Sequence, residues 1–118
     1  MLKEVRFNKK TYMELKAGEK NYKAYVGPPD RYDFMGATQF RLLTSLGLRS
    51  NNNLLDFGCG SLRSGKLFIP YLDAGNYYGQ EPNQWLIDDG IKYELGEDIL
   101  NIKKPNFSNR DDFELSLI

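Results

Sequence analysis

Residues Leu54–Gly65 read Leu-Leu-Asp-Phe-Gly-Cys-Gly-Ser-Leu-Arg-Ser-Gly, and the rest of the chain can be interpreted outward from them. The first four residues form a short, mostly apolar run, which is typical of a buried strand. Gly58 and Gly60 follow directly and predict a sharp turn, because glycine lacks a Cβ atom. The residues from Ser64 onward have the apolar spacing of a helix. A strand, a glycine turn and a helix in this order form a place where a ligand can approach the backbone closely.

Helices and strands alternate along the chain on both sides of this stretch. Apolar residues at three- and four-residue spacing follow Asp33, and Gly47 is placed to end that helix. Pro70 should shorten the helix after the glycine turn, and Asn83 should cap the next one. The predicted order is helix 33–47, strand 54–57, helix 64–72, strand 76–81, helix 82–95 with a further turn around Ile99 and Leu100, and strand 105–109.

This alternation of elements decides the fold class. Strands that are separated by helices pair in parallel through right-handed crossovers, which predicts an α/β fold. We expect an incomplete Rossmann-like three-layer sandwich with about three parallel strands and flanking helices. Residues 1–31 are polar and rich in lysine, and we expect an N-terminal arm or lid there, with a short helix from Asn8 to Gly18. Residues 32–118 then form a partial sandwich domain.

Composition excludes several classes of site and partner. The 118 residues carry 16 basic and 16 acidic side chains, so there is no electrostatic footprint for nucleic acid or an anionic membrane. No apolar run approaches the roughly 20 residues of a membrane span, and no signal peptide is apparent. The chain has no histidine and one cysteine, Cys59, which argues against an internal disulfide, a metal site and a histidine-activated nucleophile. A lone cysteine also favours a reducing cytoplasm.

Two common nucleotide-binding motifs fit the glycine turn poorly. A P-loop needs a serine or threonine after its lysine, but Lys66 is followed by Leu67. A dinucleotide-binding turn needs a third glycine at position 63, where this chain has Arg63. A third arrangement, in which an acid ends the next strand, fits better.

The segment Asp56-Phe-Gly-Cys-Gly60, followed by Glu81 at the end of the next strand, resembles the class I S-adenosylmethionine-dependent methyltransferases. The Gly-Cys-Gly-Ser-Leu-Arg turn is similar to an uncharacterised subgroup of that family. Glu81 lies 21 residues after Gly60, where the family has the acid that binds both ribose hydroxyls. The resemblance extends over residues 32–112, so residues 32–118 would be a partial methyltransferase-like cofactor-binding domain. It departs from the commoner pattern at Leu62, where many members have glycine.

The resemblance implies a site for S-adenosylmethionine or S-adenosylhomocysteine. The turn would pass the methionine part of the cofactor, Glu81 would bind the ribose, and Asp111 or Asp112 would accept the adenine amino group. Catalytic residues and the methyl acceptor stay unassigned. The implied cofactor-binding residues are Asp56, Gly58, Cys59, Gly60, Glu81, Pro82, Asp111 and Asp112.

Several of these residues also have a purely structural interpretation. Asp56 can fix the glycine turn, and Cys59 can be a small buried residue. Arg63 can pair with a carboxylate on the surface, and Trp85 can belong to the core. Asp111 and Asp112 can lie in a solvated loop.

Two functions remain open at this point. The first is a truncated or shortened methyltransferase that binds the cofactor, because the family's sheet has more strands and binds the acceptor beyond the part matched here. The second is a non-catalytic cofactor-binding or regulatory protein. It would act as a homodimer paired through the open edge of its first strand, or with a partner chain that completes the sheet. Whether the chain is an enzyme is left undecided between them.

Overall fold

Three parallel strands form the sheet at the centre of the fold. Their spatial order is the order of the chain, so the first strand lies at one edge of the sheet. The register pairs Asp56 with Gly79 and Gly79 with Phe107. The computed structural model describes residues 14–112, and the predicted incomplete Rossmann-like α/β sandwich is confirmed. The strands are β1 (Leu54–Phe57), β2 (Tyr77–Gln80) and β3 (Asn106–Ser108).

Most helices that connect and flank the strands lie close to the predicted positions, but residues 97–103 form a helix where only a turn is expected. Gly47, with a φ of 116°, follows the first helix, and Pro70 lies in the last turn of the second. The helix expected from Asn8 to Gly18 falls mainly on residues outside those described; of the described residues Glu14 is helical and residues 15–18 are not, so the predicted end at Gly18 is wrong. No helix in residues 14–112 has the length and apolar composition to cross a membrane. The helices are α1 (Tyr32–Ser45), α2 (Gly65–Tyr71), α3 (Gln84–Gly90) and α4 (Glu97–Lys103), with a π-helical turn at Ile91–Leu95 and 3-10 turns at Ala24–Val26 and Pro29–Arg31.

The hydrophobic core lies between the sheet and the helices. Phe68 of α2, Tyr77 of β2 and Ile87 of α3 are each at most 2% exposed. Phe40 of α1 packs on Phe68 with the ring centroids 5.2 Å apart. Burial of each such side chain contributes about 1.5–3 kcal/mol, so these contacts hold the helices against the sheet.

The expectation that β1 is a buried strand is wrong for two of its residues. Leu55 is 41% exposed and Phe57 is 50% exposed. Successive side chains of a strand point to opposite faces, and the face that carries Leu54 and Asp56 is the one packed against the helices. β1 also has a neighbouring strand on one side only, within the described residues.

The apolar spacing of α1 likewise predicts more burial than the helix achieves. Phe40 and Leu43 pack against the core, whereas Phe34, Leu42 and Leu46 are 58%, 56% and 74% exposed. A helix of this kind buries one stripe, and the apolar residues of α1 extend beyond that stripe. An apolar surface therefore continues from α1 to β1.

Candidate functional site

The glycine turn directly after β1 is a backbone turn that requires glycine. Gly58 and Gly60 have φ angles of 77° and 57°, in the left-handed region. The amides of Gly58 and Cys59 donate to the carbonyl oxygen of Gln80 at 2.8 and 3.0 Å. A Cβ atom at Gly60 would lie 2.8 Å from Cγ1 of Val26. The turn is therefore held against the end of β2 on one side and against Val26 on the other.

Leu62 continues this turn in a conformation that leucine rarely adopts. Its φ is 67°, and its side chain is fully buried. Its side chain packs where Gly65 and Gly90 leave room, since a Cβ at either glycine would come within 3.1 Å of Leu62. The departure from the family pattern noted at this position thus keeps the left-handed backbone that glycine would adopt easily.

Glu81 links the end of β2 to the glycine turn. Its carboxylate is buried, with the residue 8% exposed. Oε1 accepts a hydrogen bond from the amide of Gly60 at 3.1 Å. Oε2 accepts bonds from the backbone amide of Asn83 at 3.0 Å and from its side-chain amide at 2.9 Å. The carboxylate therefore joins the glycine turn to the residues that lead into α3.

The capping role expected for Asn83 is wrong. Asn83 occupies the position before α3, but its side chain makes no capping hydrogen bond to the helix. It donates instead to Glu81. The bond from Nδ2 to the Glu81 carboxylate is charge-assisted, and such bonds are roughly twice as strong as neutral ones, so it fixes the side chain in an orientation in which Oδ1 accepts no bond from the helix amides.

Asp56 and Cys59 are held inside the structure beside the turn. The hydroxyl of Tyr77 donates to Oδ2 of Asp56 at 2.6 Å. Burial raises the pKa of the Asp56 carboxyl, although the bond from Tyr77 opposes this. Burial also raises the pKa of the Cys59 thiol, and the nearby carboxylates of Asp56 and Glu81 raise it further. The thiol is therefore neutral at physiological pH, as for a small buried residue.

Two adjoining cavities open beside the turn and share Phe57 and Gly58 in their walls. The first, which we name the turn cavity, has a volume of about 290 Å³. The second, which we name the strand-end cavity, has a volume of about 130 Å³. Glu81 lines the turn cavity, and Pro82 lines the strand-end cavity. Of the predicted site residues, Asp56, Gly58, Cys59, Gly60 and Glu81 line the turn cavity, and Gly58, Pro82, Asp111 and Asp112 line the strand-end cavity.

Hydrogen bonds from Gln80 shape the strand-end cavity. Nε2 of Gln80 donates to the carbonyl oxygens of Arg110 at 3.1 Å and of Asp112 at 2.8 Å. Its Oε1 is buried and has no hydrogen-bond partner in the part of the chain that the structure describes. Asp111 and Asp112 are both exposed, and the carboxylate of Asp112 accepts two hydrogen bonds from Arg110 at 3.0 and 2.7 Å.

An N-terminal segment, residues 21–27, crosses the glycine turn, and we name it the strap. Oγ of Ser61 donates to the carbonyl oxygen of Tyr22 at 2.6 Å. Nη1 of Arg63 donates to the carbonyl oxygen of Val26 at 3.1 Å. The strap belongs to the segment interpreted from the sequence as an arm or lid, and Val26 lines the turn cavity.

Sequence reasoning missed several residues that line the cavities. No local motif marks Val26 or Gln39, because long-range packing brings them to the turn. Gln80 and Arg63 adjoin residues of the motif and could have been found from that adjacency. Trp85 lines neither cavity and packs edge-on against Tyr25, with centroids 5.3 Å apart. The missed lining residues are Val26, Gln39, Phe57, Arg63, Ser64, Gln80 and Arg110.

Comparison with known proteins adds no assignment to this geometry. No protein-family model, no curated protein and no solved structure matches the chain. Residues 14–112 contain no group of three or more histidine, cysteine, aspartate or glutamate side chains that could hold a metal ion. The chemistry of the site is therefore inferred from its own side chains: a buried carboxylate, a glycine turn and two adjoining cavities.

Proposed function

We propose that this chain binds S-adenosylmethionine at the carboxyl ends of β1 and β2, as the cofactor-binding part of a methyltransferase-like protein. The observation that carries the proposal is Glu81. Its buried carboxylate follows β2, accepts a bond from the turn amide of Gly60 and lines the turn cavity. A carboxylate accepts hydrogen bonds from two vicinal hydroxyls in one plane, which suits a ribose.

The lone pairs of Glu81 define how a ribose would bind. A carboxylate offers about four acceptor positions, and the described donors occupy two on Oε2 and one on Oε1. One ribose hydroxyl takes the remaining position on Oε1. The second replaces the side-chain amide of Asn83, which rotates into solvent because α3 does not need it as a cap.

The two cavities suit the two ends of such a nucleoside. Phe57 and Pro82 give the strand-end cavity flat apolar walls for the adenine ring, and Asp111 lies at its side for the exocyclic amino group. The turn cavity is lined by polar and charged groups, among them Glu81 and Arg63, and suits the amino-acid part. The methyl acceptor is not assigned, and no described side chain is given a catalytic role.

Isothermal titration calorimetry with S-adenosylhomocysteine tests the proposal. Glu81→Gln should weaken binding roughly 10- to 100-fold, because hydrogen bonds to a charged group contribute about 1.5–3 kcal/mol. Glu97→Gln, an exposed change in α4, is the matched control and should bind as the wild type does. Wild-type chain that takes up no ligand at millimolar concentration would refute the proposal.

A second function is supported by the edge of β1. We propose that a second copy of the chain pairs with this edge, which gives a regulatory dimer rather than an enzyme. β1 carries no lysine, proline or bulge, and its Leu55 and Phe57 are exposed. An apolar cleft of about 260 Å³ between α1 and β1, lined by Leu42, Leu43 and Leu54 among others, adjoins the edge.

A further inference from the structure

Arg63 stands out among the cationic residues near the site. Lys23, Lys66 and Arg110 each form an ion pair with a carboxylate, but Arg63 forms none within residues 14–112. Its side chain is half-buried, and the structure gives it one hydrogen bond, from Nη1 to the carbonyl oxygen of Val26. A guanidinium has five N–H donors, so most of its donor capacity remains available for a ligand.

The cavity that Arg63 lines indicates which part of a ligand this side chain would contact. The strand-end cavity and the turn cavity share Phe57 and Gly58 in their walls, and Glu81 lines the turn cavity. Arg63 also lines the turn cavity and does not line the strand-end cavity. A nucleoside with its base in the strand-end cavity and its ribose on Glu81 would place its remaining group in the turn cavity, where Arg63 is a wall residue.

We propose that Arg63 binds the α-carboxylate of the ligand's amino-acid part and thereby selects nucleosides that carry an amino acid over those that do not. This inference rests on the function proposed above. A planar guanidinium matches a carboxylate through two parallel hydrogen bonds, which gives both affinity and orientation. Val26 and the adjacent Gly27 hold the guanidinium in place, since a Cβ at Gly27 would lie 3.3 Å from Nη1.

A structural role for Arg63 predicts a different result. If the side chain only anchors the strap to the turn, its removal loosens the whole site and affects every nucleoside equally. If it binds a carboxylate, its removal affects only ligands that have one. The two roles are separated by a pair of ligands that share the nucleoside and the thioether and differ in the amino acid.

Calorimetry with S-adenosylhomocysteine and 5′-methylthioadenosine tests this on the wild type and on Arg63→Gln. We expect Arg63→Gln to weaken S-adenosylhomocysteine binding roughly 10- to 100-fold and to change methylthioadenosine binding by less than about twofold. Arg63→Lys keeps the charge but loses the planar pair of donors, so its affinity for S-adenosylhomocysteine should lie between those of the wild type and Arg63→Gln. Arg41→Gln on the exposed face of α1 is the matched control and should change neither.

The outcomes separate the inference from the proposed function. If Arg63→Gln loses affinity equally for both ligands, or for neither, the proposed role of Arg63 is overturned while the nucleoside site stands. A wild type that binds neither ligand overturns the proposed function and this inference with it. If Arg63→Gln does not fold, the wild type supplies the test, because decarboxylated S-adenosylmethionine should bind it roughly 10- to 100-fold more weakly than S-adenosylmethionine. Equal binding of those two ligands contradicts the inference.

Discussion

At the scale of single residues, Leu62 combines a strained backbone with a buried side chain, and the two effects can be weighed. Glycine would relieve the left-handed φ of 67° by about 1 kcal/mol. It would also remove a fully buried leucine side chain, which typically costs about 2–5 kcal/mol. The second effect is larger, so Leu62→Gly should lower the free energy of unfolding by about 1–4 kcal/mol. Urea denaturation measures this, with exposed Leu42→Gly as a comparison, and a stabilised Leu62→Gly would contradict it.

Asp56 gives a pH dependence with a definite sign. Burial raises its native pKa above the usual value of 3.8, so the folded chain holds this proton to a higher pH than the unfolded chain does. The contribution of Asp56 to the free energy of unfolding therefore falls as the pH rises from about 3.8 through the native pKa. Asp56→Asn keeps an acceptor for the Tyr77 hydroxyl and removes the titration.

Urea unfolding of both proteins over a pH series isolates this effect. The stability of Asp56→Asn relative to wild type should increase as the pH rises through that window and then level off. Other carboxyl groups, such as Asp33, whose pKa the bond from Lys66 lowers, cancel in the difference. A difference that stays flat or decreases with pH would show that burial does not control this carboxyl group.

At the scale of elements, the sequence predicted the strands, the glycine turn and most helices because their signals are local. Gly58, Gly60 and Pro70 act through their own backbone geometry, which needs no tertiary information. The exposure of Leu55 and Phe57 could not be predicted, because it depends on what covers the sheet. Asn83 failed as a cap because a carboxylate close in space competes with the helix for its side chain.

The open edge of β1 yields a prediction about association. If two copies pair through β1, Leu55→Lys should convert a dimer to a monomer, because a charged side chain on an edge strand opposes pairing. Light scattering coupled to size exclusion reads the mass directly. Ile102→Lys, at an apolar residue of α4 that is 63% exposed, is the control and should leave the dimer intact. A wild type that stays monomeric at high concentration rules out the regulatory dimer.

At the scale of the whole molecule, segments distant in sequence meet at the carboxyl ends of the strands. The strap, the glycine turn, Glu81 and residues 110–112 surround the two cavities. The sequence indicated the candidate site residues because Glu81 follows the glycine turn at the spacing of a known motif. The strap and the guanidinium of Arg63 complete the walls of the turn cavity. Val26 and Arg63, which join them, are 37 residues apart in the sequence, so no local pattern encodes this contact.

The most direct test of the cofactor site is a titration of the chain with S-adenosylhomocysteine, followed by the backbone amide signals in a proton–nitrogen correlation spectrum. The amides of Gly60 and Asn83 donate to the Glu81 carboxylate, so a ribose on that carboxylate should shift both signals together. The amides of Gly47 and Gly75 serve as controls, because these residues line neither cavity, and their signals should stay in place. Unchanged Gly60 and Asn83 signals at millimolar ligand would contradict the account.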